Sequence, residues 1–272
     1  MKSIILKGGL GNQLFQLAKF LDLKKNKIQD LRLDINTGFL LDRKYKRKLE
    51  LEVLINKEYK ASKFQILINT TIVILNKFNL LPAKILGVNI VDDYKSLELD
   101  KLNKIILYNG YFQNNKIVQS NLMDIFALVK PNFFRAKSPQ FKELISLIES
   151  CEHSIALCIR FYEESKDPKK HARINSNLKK VEDFNRIIKK CEQSLGETTF
   201  FLFVQSENEF TDKLIFNSKV YVISHKNGYT GSWERLTAQA YCSHHIFNNS
   251  TFYYWGAVFS RFFNINGDVK PQ

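Results

Sequence analysis

The chain has 272 residues, 44% of them hydrophobic and 25% charged, a composition that fills a packed core and excludes an intrinsically disordered chain. Its 41 lysines and arginines outnumber 27 aspartates and glutamates, a formal net charge of +14. That balance favours an anionic partner, whether nucleotide, nucleic acid or acidic membrane surface, and does not choose among them. In chain order, residues 3–6 form a short apolar run that ends at Lys7-Gly8-Gly9-Leu10-Gly11. Leu14, Phe15, Leu17, Ala18 and Leu21 then recur at helical spacing. Strand, glycine turn and helix together open a Rossmann-like unit.

Residues 31–35 read as a second strand. The apolar stretch 64–81 is broken by Asn69, Lys77 and Asn79 and is too polar to span a bilayer. It predicts a helix buried in a domain core, with a helix lying on a membrane as the alternative. Residues 104–108 give another strand, ending at Asn109-Gly110; Lys130-Pro131 and Ser138-Pro139 punctuate the chain, and a helix follows over 141–150. A second series comprises strands at 154–159, 198–204, 220–223 and 245–247 and helices at 181–195, 233–241 and 252–259. Strands alternating with helices predict an α/β fold with parallel sheets covered on both faces. Two such series predict two domains, 1–145 and 146–272. The opening residues 1–6 do not read as a signal peptide. Cys151, Cys158, Cys191 and Cys242 lack C-x-x-C spacing, so a disulfide or zinc framework is not expected and a reducing, cytoplasmic setting is.

Ligands of open α/β sheets bind beyond the carboxyl ends of the strands, so the residues delivered there matter most. The first strand delivers Gly8, Gly9, Gly11 and Asn12, which let a ligand approach the backbone and a helix N-terminus. The spacing is not G-x-G-x-x-G, and a tight turn with Asn12 as a helix cap is the equal alternative. The strand at 154–159 delivers Arg160, suited to grip a diphosphate bidentately or to pair with Glu163 or Glu164 on the surface. The strand at 198–204 delivers Gln205, Ser206 and Glu207, either for a base or ribose or as ordinary loop polarity. The last delivers Asn248, Asn249, Ser250 and Thr251 at a helix N-terminus, an anion site or a simple cap. Four such ends together point to one phosphate-bearing ligand.

Three segments carry a resemblance. GGLGNQLFQ at 8–16, NGYFQNN at 109–115 and HHIFNNSTFYYWGAVF at 244–259 resemble, in order and across nearly the whole chain, motifs of the bacterial α-1,2-fucosyltransferases, glycosyltransferase family eleven. The family's central H-x-R-R-x-D appears as Cys158-Ile159-Arg160-Phe161-Tyr162-Glu163, in which Arg160 alone matches. Its S-D-D appears as Gln205-Ser206-Glu207, and its later acidic pair as Glu234-Arg235.

The resemblance implies a GT-B architecture: an N-terminal acceptor-side domain and a C-terminal GDP-sugar-binding domain facing a cleft. It implies inverting transfer of L-fucose from GDP-β-L-fucose to galactose or N-acetylgalactosamine, α-1,2 linked, on an oligosaccharide or lipid-linked glycan in surface polysaccharide or O-antigen synthesis. No cofactor and no metal are implied; Asp92-Asp93 lies outside the matched motifs and no cluster has metal spacing. Gly9, Gly11, Arg160, Gln205, Ser206, Glu207, Asn249, Ser250 and Thr251 are then expected to hold the donor, with Arg160, Ser250 and Thr251 on the diphosphate. Arg160, Asn12 and Glu163 are the expected catalytic set, Asn12 for positioning and Glu163 as a candidate base, with Asp34 as a second candidate. His244 and His245 are expected to pack the site, and Trp255 to lie in the core. A GDP-sugar-binding protein of the same fold with altered catalysis is the alternative. Nucleic-acid binding lacks its motifs. The basic surface suggests peripheral contact with the anionic inner face of the plasma membrane.

Overall fold

The computed structural model describes residues 1–51, 55–81, 87–93, 104–135, 138–161 and 180–263. The chain divides into two compact units, Met1–Lys130 and Pro131–Gln272.

The first unit is built on β1 (Lys2–Ile5), β2 (Leu31–Asp34), β3 (Val88–Val91) and β4 (Ile105–Tyr108), ordered β2-β1-β4-β3 with every pairing parallel. Its helices are α1 (Leu10–Lys25), α2 (Thr37–Leu40), α3 (Lys63–Lys77) and, up to Lys130, α4 (Asn115–Phe134). Parallel strands need crossover connections, and helices over the sheet bury its apolar strands. Thus Ile4, Ile5, Leu31, Leu33 and Leu107 are all buried. α1 buries Leu14, Phe15, Leu17 and Ala18, the row its periodicity predicts, together with Gln13 and Gln16. Neither β3 nor α4 was legible: β3 is four residues long, and α4 continues through Pro131, which reads as a break.

α3 corrects an expectation. Its start is where a capping box puts it, Ser62 Oγ accepting from the Gln65 N–H while Gln65 reaches back to Ser62 N. Yet only Asn69 and Ile72 of the helix are buried. Ile68, Ile72 and Val73 pack on Ile5, Val88 and Leu107 of the sheet, whereas Phe64, Leu67 and Phe78 are exposed. A helix that is apolar all round reads as buried; here one side alone meets the sheet. Among the described residues no helix is long and apolar enough to cross a membrane.

The second unit holds β5 (His153–Cys158), β6 (Thr198–Phe203), β7 (Lys219–Ile223) and β8 (His244–Phe247), ordered β7-β6-β5-β8 and parallel throughout. Its helices are α5 (Pro139–Glu149), α6 (Val181–Leu195), α7 (Glu209–Asp212), α8 (Ser232–Tyr241) and α9 (Thr251–Phe259). Alternation sorts the central strands between two cores. Ala156, Cys158, Phe201 and Phe203 face α5, α8 and α9; Ile155, Leu157, Phe200 and Leu202 face α6 through Phe184 and Ile188. Because Phe141, Leu144 and Ile148 join the first of these cores, α5 belongs to the second unit. Trp255 is fully buried.

α8 and α9 touch at Gly256, where an added Cβ would lie 2.5 Å from Gln239 Oε1 and 2.9 Å from its Cβ. Gly256→Ala should therefore lower stability by about 1–3 kcal/mol, measured by chemical denaturation. A variant as stable as the parent would show that Gln239 moves aside freely.

Candidate functional site

In the second sheet the chain steps from β5 to β6 to β7 in one direction, then returns to place β8 on the other side of β5. Strand order reverses between β5 and β8, and at such a switch point a crevice opens beyond the carboxyl ends. Arg160 follows β5 and Asn248 follows β8. The Arg160 N–H donates to Asn248 Oδ1 at 3.0 Å, and Asn248 Nδ2 donates to Arg160 O at 2.8 Å. A buried asparagine side chain thus carries the ladder one step past the strands and fixes the arginine backbone.

From there Arg160 Nη1 donates to Gln205 Oε1 at 2.6 Å, beyond the end of β6. Ser250 is the N-cap of α9, its hydroxyl makes no capping bond, and Thr251 opens the helix. Both are half-buried, as is Ser206, whereas Glu207 and Asn249 are exposed. The structure therefore ties Arg160 to Gln205 and Asn248, and sets Ser250 and Thr251 two and three residues beyond Asn248. Glu163, with Glu164, lies outside the described residues.

The residue that the sequence reading missed is Arg235. It is buried on α8. Its Nη1 lies 2.7 Å from His225 Nε2, its Nη2 donates to Val204 O at 2.9 Å, and its Nε has no hydrogen-bond partner. Among the described residues no carboxylate forms an ion pair with it. Desolvation lowers its pKa, and the positive charge of Arg160 acts in the same direction while Tyr253 opposes it. His225 is also lowered, by desolvation and then by Arg235 and Arg160, so its imidazole is held neutral and accepts from the guanidinium. Tyr253 Oη, 3.2 Å from the carbonyls of both Ile159 and Phe203, closes the floor beneath. Arg160 after β5 and Arg235 on α8, the latter with no carboxylate on it among the described residues, give this end of the sheet the positive charge and donor chemistry that suit a multiply charged anion. The sequence signal was present as Glu234-Arg235, read for the acid it lacked and not for the cation it held. Glu234 instead accepts from the Ser138 N–H at 2.9 Å, at the start of α5.

His244 and His245 open β8, at its amino end and away from these groups. His245 Nε2 lies 2.7 Å from Gln239 O, and desolvation lowers its pKa to about 4. Burial pushes the Cys158 thiol up, out of nucleophilic range. An open depression lined by Asn185, Lys189 and Asn217 lies on α6, before the start of β7 and apart from the strand ends.

The first sheet has its own switch point, between β1 and β4, and the two N-terminal motifs meet there. Gln13 Nε2 donates to Gly8 O and Lys48 O, both at 2.9 Å; Gln16 Oε1 accepts from the Lys7 N–H at 3.0 Å, and its Nε2 donates to Gly110 O at 3.0 Å. The two buried glutamines clamp the glycine turn and splice it to the β4 end. Gly8 has φ +78°, and a Cβ there would meet Asn12 at 2.8 Å, so only glycine is free of strain. Gly9 is the N-cap of α1 without a side-chain cap, and Gly11 lies buried in its first turn. Asn12 is therefore no cap; its Oδ1 accepts from Gln113 Nε2 at 3.2 Å. Lys7 Nζ donates to both Asn109 O and Oδ1 at 2.8 Å and sits 5.1 Å from the Tyr111 ring centroid. Desolvation lowers its pKa against the pull of Asp93 and Asp92. Asp93, set aside in the sequence, accepts from the Tyr111 and Phe112 N–H groups and holds Phe112 at φ +54°.

Asp34 is corrected as a candidate base. It is fully buried and accepts from Asn36 N, Thr37 N, Thr37 Oγ1 and Asn69 Nδ2 at 2.6–3.0 Å. Its lone pairs organise the β2–α2 turn and are not offered to a substrate. Among the described residues no group of three or more His, Cys, Asp or Glu is placed to hold a metal ion.

No protein-family model matches the chain, and no curated protein matches it. Among solved structures, an arginine-to-lysine mutant of Arabidopsis thaliana FUT1 in complex with GDP aligns with 96% of this chain and 68% of its own, at 11% identity and a TM-score of 0.49. A likeness at that level assigns no residue and no ligand.

His245 supplies a pH test. Its pKa is depressed on folding, so the unfolded chain binds the proton more tightly. The stability it contributes is present above pH 6.5 and is lost as pH falls toward 4. Urea midpoints between pH 8 and 4 should fall across that window, and His245→Gln should flatten part of the decline. An unchanged slope in the variant would remove His245 as a source.

Proposed function

We propose that the second unit binds the diphosphate of a GDP-sugar at the β5/β8 switch point. On this reading the chain is an inverting glycosyltransferase that moves L-fucose from GDP-β-L-fucose to an acceptor hydroxyl. The observation that carries the reading is the pair Arg160 and Arg235, the latter buried without a carboxylate among the described residues, together with the N-terminus of α9, where Ser250 makes no capping bond and Thr251 follows. The resemblance of the three motifs to the bacterial α-1,2-fucosyltransferases supports GDP-fucose as the donor. It also supports galactose or N-acetylgalactosamine in a lipid-linked or oligosaccharide acceptor, and a cytoplasmic place in surface-polysaccharide synthesis.

In this mechanism the acceptor oxygen attacks C1 of fucose on the face opposite GDP. The C1–oxygen bond to the β-phosphate breaks through an oxocarbenium-like state, and the hydroxyl proton passes to a base. Glu163 is the proposed base, Asn12, held by Gln113, is assigned to positioning, and Gly9 and Gly11 are assigned to the donor. Charge developing on the leaving diphosphate is met by Arg160, Arg235 and the hydroxyls of Ser250 and Thr251, fixed donors that need no reorganisation; we propose that no metal is required. Gln205, Ser206, Glu207 and Asn249 are assigned to the nucleoside.

A second reading, a GDP-sugar-binding protein without transfer, draws on Cys158. It fills the family's histidine position with a buried, inert thiol.

Calorimetry with GDP and GDP-fucose, followed by GDP release in the presence of galactose-ended acceptors, separates the readings. Binding with turnover is expected; binding without turnover on any acceptor favours the second, and no binding overturns both. Arg160→Ala should keep the fold, because Asn248 holds the backbone, and should cut transfer by roughly two to three orders of magnitude. Transfer at the parent rate would take Arg160 out of the mechanism.

A further inference from the structure

The outward side of α3 carries Phe64, Leu67, Thr71, Ile74 and Phe78, at alternating steps of three and four residues that draw one straight stripe along a helix. Phe64 is 71% exposed, Leu67 65%, Ile74 39% and Phe78 65%, and Leu80 just beyond the helix 66%. An apolar row of this length on a surface marks a contact. The opposite side of the helix is already committed to the sheet through Ile68, Ile72 and Val73, and the capping box fixes the helix start. The stripe is thus a preformed, rigid face.

The charge around it selects the occupant. Lys57, Lys63 and Lys77 are exposed, and the sequence contains no acidic residue between Glu58 and Asp92. A second copy of the chain docked on this stripe, parallel or antiparallel, would set Lys63 and Lys77 against the same lysines, with no carboxylate on either helix to answer them. The helix, Lys63–Lys77, also falls short of the three or more heptads that a coiled-coil seam needs. An anionic lipid surface answers both features, taking the apolar row into the headgroup–acyl boundary and the lysines onto phosphate. α2 lies alongside, Thr37 Oγ1 being 2.9 Å from Thr70 Oγ1, and ends in exposed Leu40, followed by exposed Arg43 and Lys44.

We propose that α3 is a membrane-docking element that lies in the plane of an anionic bilayer, with Phe64, Leu67, Ile74 and Phe78 immersed and Lys63 and Lys77 at the headgroups. The proposal rests on the surface of the first unit and not on the donor assignment.

Sedimentation of the full chain with vesicles of phosphatidylcholine, with and without phosphatidylserine, tests it. The chain should bind the phosphatidylserine vesicles, release as salt is raised, and ignore phosphatidylcholine alone. The triple variant Phe64→Ser, Leu67→Ser, Phe78→Ser should lose at least about tenfold in partitioning, and Lys63→Glu with Lys77→Glu should abolish the preference for the anionic lipid. All positions are exposed, and thermal unfolding should match the parent. Failure of the parent to bind phosphatidylserine vesicles, or parent-like binding by the triple variant, overturns the proposal. A concentration-dependent dimer in analytical ultracentrifugation that the triple variant abolishes also overturns it, assigning the stripe to a second copy.

Discussion

The reciprocal bond between Arg160 and Asn248 is the constraint on which the second unit's candidate site depends. Arg160 gives both its backbone N–H and its carbonyl and Asn248 its whole side-chain amide, so the ends of β5 and β8 are locked without involving the guanidinium. The side chain is left to reach Gln205. Asparagine suits this place because its amide presents one donor and one acceptor as a peptide does, and so extends a parallel ladder. An aspartate would leave Arg160 O without its donor inside a buried patch.

Around that lock the protein gathers like charges. Arg235 stands in a desolvated position with His225 on one side and the Val204 carbonyl on the other, both neutral dipoles. Removing a cation from water without an anion beside it is costly, and the Arg160 charge adds to the cost. Neutral acceptors soften the cost while leaving the positive potential intact. A carboxylate in the same place would stabilise the apo protein and cancel the field available to an anion.

Much of the fold was legible because it follows from period and punctuation. β5 and β6 read as continuous apolar runs, the mark of strands covered on both faces, and the glycine turn after β1 marked its end. What escaped has physical reasons. α3 has two apolar sides, and composition cannot say which one the sheet will take. Arg235 gains its meaning from burial, which no spacing reveals. The roles of Gln13, Gln16 and Asp93 arise from contacts across long stretches of chain, such as Gln16 with Gly110. Asp34 looked available because it ends a strand, yet four local donors already occupy it. His245 was expected to pack the site, but β8 pairs it with Ala156 in the middle of β5, short of the strand ends.

The bond from Arg160 to Asn248 also joins residues 88 positions apart. A contact of such separation is non-local, and contacts of that kind slow folding. β5 pairs with β6 on one side and β8 on the other, so the arrangement around Arg160 is complete only once β8 has docked. On the proposed reading, an anion held there binds only the finished sheet and draws the equilibrium toward it by mass action. Recognition and completion of the fold are then, on that reading, one thermodynamic event.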